Sequence, residues 1–246
     1  MKTSYRADIA HKFIQSFGKD NFECRLKTTI LLVGCGALGS KIAVALAKHG
    51  YNQVLVDPDF VAPHNLPLQE YSSHDLDRPK VEALAEHIAQ LSPFPVRVKS
   101  LHMRFNEAVI GNKLPSCDIV VAVPDNDLAR LEVAHHFYCL KPVVFAGASE
   151  SGDYGYVFVQ EPHQACLLCA FPTMDARLGT RGACGGFTGE IAYILTGFVL
   201  FAVDSLVMEH PLRTRSWNLA KLYLNSMPDL RVLVRKRAGC PLCSHL

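Results

Sequence analysis

A chain of 246 residues fits one large α/β domain, and with 49% hydrophobic residues it can bury a substantial core rather than stay disordered. Its 25 basic and 23 acidic side chains leave a net charge of +2, which gives no electrostatic footprint for nucleic acid or an anionic membrane. Met1 to Lys12 has no apolar core behind a basic start, so no secretory leader is expected. The longest apolar run, Ile191 to Val203, has 13 residues, against the roughly 20 a helix needs to span a bilayer, and reads as a buried helix. Nine cysteines, an odd number, argue for thiols and metal ligation in the cytoplasm rather than a secreted disulfide framework.

Thr29 to Val33 is a β-rich run that stops at Gly34, as a buried parallel strand would. Ser40 to His49 carries Ile42, Ala45 and Leu46 on one helical face and ends before Gly50. Val54 to Val56 is the next strand, closed by Asp57. Val81, Leu84, Ile88 and Leu91 recur at helical spacing until Pro93 and Pro95 close the helix. Val96 to Val98 reads as a third strand, Asp118 to Val123 as a fourth, and Leu128 to Tyr138 as a helix. Pro142 to Ala146 and Tyr156 to Val159 are further strands. Alternating strands and helices predict a Rossmann-like, doubly wound and mostly parallel α/β sheet covered on both faces. No linker divides the chain, so residues 1–246 are expected to form one domain. Its nucleotide-binding half spans about 28–150, and about 151–246 carries the remaining elements. Three long irregular stretches stand out: Phe60 to Pro79, Gly147 to Gly155, and Pro172 to Gly189. The last has five glycines from Gly179 to Gly189 and is expected to move.

Gly34-Cys-Gly-Ala-Leu-Gly39 is G-x-G-x-x-G between a strand and a helix. Gly34 permits a tight turn, Gly36 lets phosphate approach the backbone, and Gly39 lets helix and strand pack. Asp57, 18 residues beyond Gly39, suits a pair of ribose hydroxyls. The motif predicts nucleotide binding and leaves ATP and NAD both open. The residues that choose follow: Asp57-Pro-Asp59, Asn65, Gln69, Pro79-Lys80-Val81, and Asp125-Asn126 with Arg130. Strand ends of a doubly wound sheet converge on one edge, so Asp57, Lys80 and Asp125 are expected around one nucleotide. Hydride transfer has no need of a carboxylate and a lysine beside phosphates. Adenylation does, because an anionic carboxylate must attack an anionic α-phosphate. Lys80 can neutralise phosphate charge and Asp125 can hold Mg²⁺.

Through this ordered series the chain resembles the ThiF/MoeB/HesA family, the ancestral form of ubiquitin-activating enzymes, from about Thr28 to Cys243. The resemblance implies ATP-dependent adenylation of the C-terminal glycine of a small β-grasp protein. Asp57 would hold the ribose, Lys80 the phosphates and Asp125 the magnesium, with Asn65 and Gln69 lining the pocket beside Asp59 and Asn126. It also implies a homodimer, formed through the second half of the chain, in which an N-terminal arginine is lent across the interface. Arg6 is the one early arginine, in surroundings unlike the usual motif. The family's Asn-x-x-Arg-Gln pattern is here Asn65-Leu-Pro-Leu-Gln69, so Leu68 replaces a cation and Arg78 is the candidate substitute.

Cys166-Leu-Leu-Cys169 and Cys240-Pro-Leu-Cys243 are two C-x-x-C pairs. Four thiolates suit tetrahedral Zn²⁺ in a closed structural site, which would staple the C-terminal extension to the domain. Two disulfides or four packed thiols are the alternatives. Cys35, Cys117 and Cys139 read as packing cysteines. Cys184, in Arg181-Gly-Ala-Cys-Gly-Gly186, lies beside an arginine and before a helix start, which favour thiolate and make it a candidate nucleophile; the family resemblance implies that it receives the activated tail as a thioester. The partner expected is a ubiquitin-like or sulfur-carrier protein ending in Gly-Gly, with a conjugating enzyme or sulfurtransferase downstream. Alternatives are adenylation of a modified tRNA or a peptide, and an inactive scaffold subunit of a heterodimer. The even charge speaks against tRNA.

Overall fold

The computed structural model describes residues 7–149, 152–174, 189–225 and 228–244. One eight-stranded sheet organises the chain, in the order β3-β2-β1-β4-β5-β6-β7-β8. Its parallel part comprises β1 (Thr29–Val33), β2 (Asn52–Val56), β3 (Val98–Leu101), β4 (Ile119–Ala122) and β5 (Val143–Ala148). The strand order reverses at β1 and β4, the switch point where ligands bind in open α/β sheets.

Alternation along each strand feeds two cores. Leu32, Leu55, Val121 and Val144 join the first, beneath α3 (Ala37–Lys48), α4 (Lys80–Leu91) and α8 (Gly189–Val207). Leu31, Val54, Val120 and Phe145 join the second, with α5 (Phe105–Ile110), α6 (Asp127–Phe137) and α7 (Leu167–Ala170) on that side of the sheet. The 19-residue α8 is longer than its apolar core, and by length and composition it is apolar enough to cross a membrane. Here it packs on α3, β5 and β6 and buries Ile191, Leu195, Val199 and Val203. It is a core helix.

Several expectations need correction. The third strand begins at Val98, not Val96, because Val96 N–H turns back to Phe94 O and pairing with β2 starts at Gln53↔Val98. The strand expected at 156–159 is β6 (Tyr154–Gln160), and it runs antiparallel to β5. Only five residues separate the two, too few for a parallel crossover. The antiparallel run continues through β7 (Leu219–Tyr223) and β8 (Leu230–Val232), both absent from the sequence reading. Leu91 is 48% exposed and Cys139 is also exposed, so neither packs in the core. Two N-terminal helices, α1 (Ala7–Phe17) and α2 (Lys19–Lys27), precede β1. Buried Arg25 of α2 grips Asp204 of α8 through Nε at 3.1 Å and Nη2 at 2.5 Å, while Tyr51 Oη donates to the same carboxylate at 2.7 Å.

Candidate functional site

The glycine loop leaves β1 at the carboxyl edge of the sheet. Gly34 has φ +96°, a backbone state L side chains avoid, and a Cβ there would stand 2.8 Å from Val123 O at the end of β4. A Cβ on Gly39 would lie 1.9 Å from Gly34 O, whereas one on Gly36, the N-cap of α3, would meet nothing within 4 Å. Two glycines therefore close the turn, and the middle one leaves the helix N-terminus open to an anion. Gly39→Ala is expected to lower the melting temperature by several degrees. Gly36→Ala should melt like the parent and weaken ATP binding about tenfold or more, read by calorimetry.

Asp57, at the end of β2, is only 6% exposed. Its Oδ2 accepts the Cys35 N–H at 2.6 Å, and its Oδ1 accepts the Asp59 N–H at 2.9 Å. Burial raises its pKa above the ordinary carboxylate value, against the Cys35 N–H, the Lys80 charge and the Asp59 N–H, which lower it. The acid thus fixes the glycine loop. Asp59, with a side chain 59% exposed, holds Lys80 Nζ at 2.8 Å, and Lys80 itself is buried at the start of α4.

The 60–79 segment folds as two 3₁₀ turns, at Pro63–Asn65 and Ser73–Asp75, and is tied to the loop and α3. Tyr71 Oη donates to Cys35 O at 2.8 Å, Glu70 N–H to Ser40 Oγ at 3.1 Å, and Lys41 Nζ pairs with Glu70 Oε1 at 2.9 Å. Asn65 is buried and its Oδ1 accepts the Ala62 N–H at 2.9 Å, which makes it a turn anchor. Gln69 Oε1 is buried with no hydrogen-bond partner among the described residues, as an acceptor awaiting a ligand or water would be. Asp125 and Asn126 follow β4, beside the loop that Gly34 brings against Val123. Both are exposed. Asn126 Oδ1 caps α6 by accepting the Ala129 N–H at 2.8 Å, and its Nδ2 donates to Asp125 Oδ1 at 3.1 Å. Arg130 pairs with Asp127 at 2.8 Å.

Away from that edge, Cys166, Cys169, Cys240 and Cys243 are buried, free thiols whose four sulfurs lie within 4.8 Å of one another. Separations of 3.4 Å (Cys166–Cys240), 3.5 Å (Cys169–Cys243) and 3.7 Å (Cys166–Cys169) approach the roughly 3.8 Å edge of a tetrahedron with about 2.3 Å metal–sulfur bonds. Burial pushes the Cys240 thiol up, but the Cys243 and Leu242 backbone N–H groups and the neighbouring thiols outweigh it and bring it to about 7. The Arg237 N–H points at Cys169 Sγ, 3.3 Å away. The set could hold one tetrahedral metal ion.

The model of the ThiF family matches residues 9–242, nearly the whole chain. The chain belongs to the ThiF family. It is 27% identical over 223 residues to the sulfur carrier protein ThiS adenylyltransferase of Escherichia coli, covering 89% of this chain and 86% of that protein. It is 26% identical over 162 residues to the molybdopterin-synthase adenylyltransferase of Haemophilus influenzae, covering 65% of each. Against the silkworm ubiquitin-like modifier-activating enzyme 5, identity is 24%, and the match spans 74% of this chain and 51% of that one. Among solved structures, E. coli MccB with ATP superposes with a TM-score of 0.77 at 16% identity, over 98% of this chain and 74% of MccB. That likeness establishes the shared fold.

Within the ThiF family this chain has its own features. Leu68, at the arginine position, is 37% exposed. Arg78, the candidate substitute, is committed to Glu86 at 2.5 Å and Asp75 at 3.5 Å. Arg6, Arg181 and Cys184 lie outside the described residues. Lys41 and Tyr71 belong to no motif, and their roles arise from contacts 29 and 36 residues away. Lys41 shares its face of α3 with Lys48 two turns on, so the local sequence does not mark it out for Glu70.

Proposed function

We propose that this ThiF-family chain is an ATP-dependent adenylyltransferase that activates the C-terminal carboxylate of a ubiquitin-like or sulfur-carrier protein ending in Gly-Gly. The observation that carries the reading is the linkage at one sheet edge: Asp57 bonded to the glycine loop, Asp59 bonded to Lys80, and the Asp125 loop packed beside Gly34. A carboxylate oxygen of the tail attacks the α-phosphorus, the bond to the β-phosphate bridging oxygen breaks, and pyrophosphate leaves with its electron pair. The ribose lies along the Asp57–Asp59 side of the crevice, and Asn65 and Gln69 form its flank. Lys80 exchanges Asp59 for phosphate and offsets the repulsion between two anions. Asp125 would hold Mg²⁺, with Asn126 Nδ2 orienting its carboxylate beside the nucleotide, and the ion would supply Lewis-acid stabilisation of the phosphates. Cys184 is the proposed acceptor of the activated tail as a thioester, with AMP leaving.

The four-cysteine centre is a structural Zn²⁺ site. A homodimer is also proposed, on α8: Tyr193 is 64% exposed on this mostly apolar helix, and Ile194 lies exposed beside it. The enzyme works in the cytoplasm, upstream of a conjugating enzyme or sulfurtransferase. One observation favours a second reading, an inactive scaffold subunit: Leu68 brings no cation, and Arg78 is held by two acids. ATP–pyrophosphate exchange with carrier proteins ending in Gly-Gly separates the two. Exchange that depends on the carrier supports the enzyme, and ATP binding without exchange supports the scaffold.

A further inference from the structure

α1 and α2 rest on a small core of their own, Ala10, Phe22 and Leu26, separate from the two cores of the sheet. Between these helices, the end of α3 and the Pro93–Phe94 turn lies a cavity of about 370 Å³, within the size range of small-molecule sites. Its walls are aromatic. Phe13 stands 4.8 Å from Phe17 and 5.5 Å from Phe22, and Phe22 stands 5.1 Å from Phe94.

The remaining lining is basic. Lys12 and Lys48 are exposed at the rim, Arg25 and Arg213 line it further in, and no Asp or Glu is among the lining residues. Behind the wall, Arg25 and Arg213 share the single carboxylate of Asp204, at 2.5 Å and 3.2 Å, which leaves one positive charge in excess. Arg213 also lies 4.3 Å over the Phe17 ring, a cation already placed against an aromatic wall. His49 lines the same space, and its Nδ1 is buried with no hydrogen-bond partner among the described residues. A buried polar atom in that condition is rare and points to a ligand or water. Apolar walls with exposed lysines at the rim and Arg213 further in specify both halves of a ligand.

We infer that this cavity binds a small amphiphilic acid, one anionic group on an aromatic or branched apolar body, at a site separate from the nucleotide crevice. The anion sits between Lys48, Lys12 and Arg213, and the apolar body lies against Phe13, Phe17 and Phe94. α3 connects the two places: its first turn carries the glycine loop, and its last residue is Lys48, 12 residues and about 18 Å along the helix. The inference goes beyond the proposed adenylation and does not rest on it.

The probe is the fluorescent sulfonate 1-anilinonaphthalene-8-sulfonate, titrated into the full chain, with uncharged N-phenyl-1-naphthylamine as its counterpart. Saturable binding at about one site per chain is expected. The double variant Lys12→Glu/Lys48→Glu, at two exposed positions, should weaken the sulfonate about tenfold or more and move the uncharged probe less than about twofold. Saturating ATP should leave the sulfonate affinity within about twofold. No saturable binding, equal affinity in the double variant, or displacement by ATP would each overturn the inference.

Discussion

Replacing Asp125 by alanine is expected to reduce ATP–pyrophosphate exchange about a hundred- to a thousandfold while leaving the melting temperature unchanged. The side chain is exposed after β4, so its loss opens no cavity in the core. On the proposed mechanism, what goes is an oxygen donor for the Mg²⁺ that would draw charge off the phosphates. Lys80→Ala should cost as much by a different route: it removes the cation and frees Asp59, adding a negative charge where the triphosphate lies. In both variants kcat for exchange falls more than apparent ATP affinity, because charge on the phosphates grows toward the transition state. Full exchange in Asp125→Ala would remove Asp125 from the mechanism.

The largest stability effect is expected at the cysteines. Structural zinc contributes about 10–16 kcal/mol to folding in small zinc peptides, while whole domains have net stabilities of about 5–15 kcal/mol. Cys240→Ser, removing one of the four buried thiols proposed to hold the ion, should lose the metal and lower the melting temperature by at least about 10 °C. The exposed Cys139→Ser is the control and should melt like the parent. Elemental analysis of the purified protein should find one zinc per chain, and a strong chelator should reproduce the Cys240→Ser melt. A metal-free parent melting together with Cys240→Ser would show that packing, not a metal, holds the C-terminal tail.

What was legible in the sequence is what local chemistry dictates. β1, the glycine loop and α3 are written as an apolar run, three spaced glycines and a helical face. The paired C-x-x-C spacing likewise announced four sulfurs that the fold brings within 4.8 Å. What escaped depends on distant partners. α2 is a polar segment with few apolar residues, held in place by Arg25 on Asp204, 179 residues away. β7 and β8 are five and three residues long: β7 forms on the antiparallel edge that β6 offers, and β8 on the edge that β7 offers in turn. The direction of β6 was readable in principle, since the turn before it has no room for a helix. Asp57 is the instructive site residue. The motif marks it as a ribose acid, and only the structure reveals that both its oxygens also hold backbone N–H groups of the loop and of Asp59.

Asp57, Lys80 and Asp125 are proposed to serve one bound triphosphate. Calorimetric titration of the parent, Asp57→Ala and Lys80→Ala with Mg²⁺–ATP, and separately with NADH, tests this claim most directly. ATP is expected to bind the parent with about one site per chain, to lose about tenfold or more in affinity in each variant, and NADH to give no heat. Tight NADH binding by the parent, or ATP affinity unchanged in both variants, would contradict the claim.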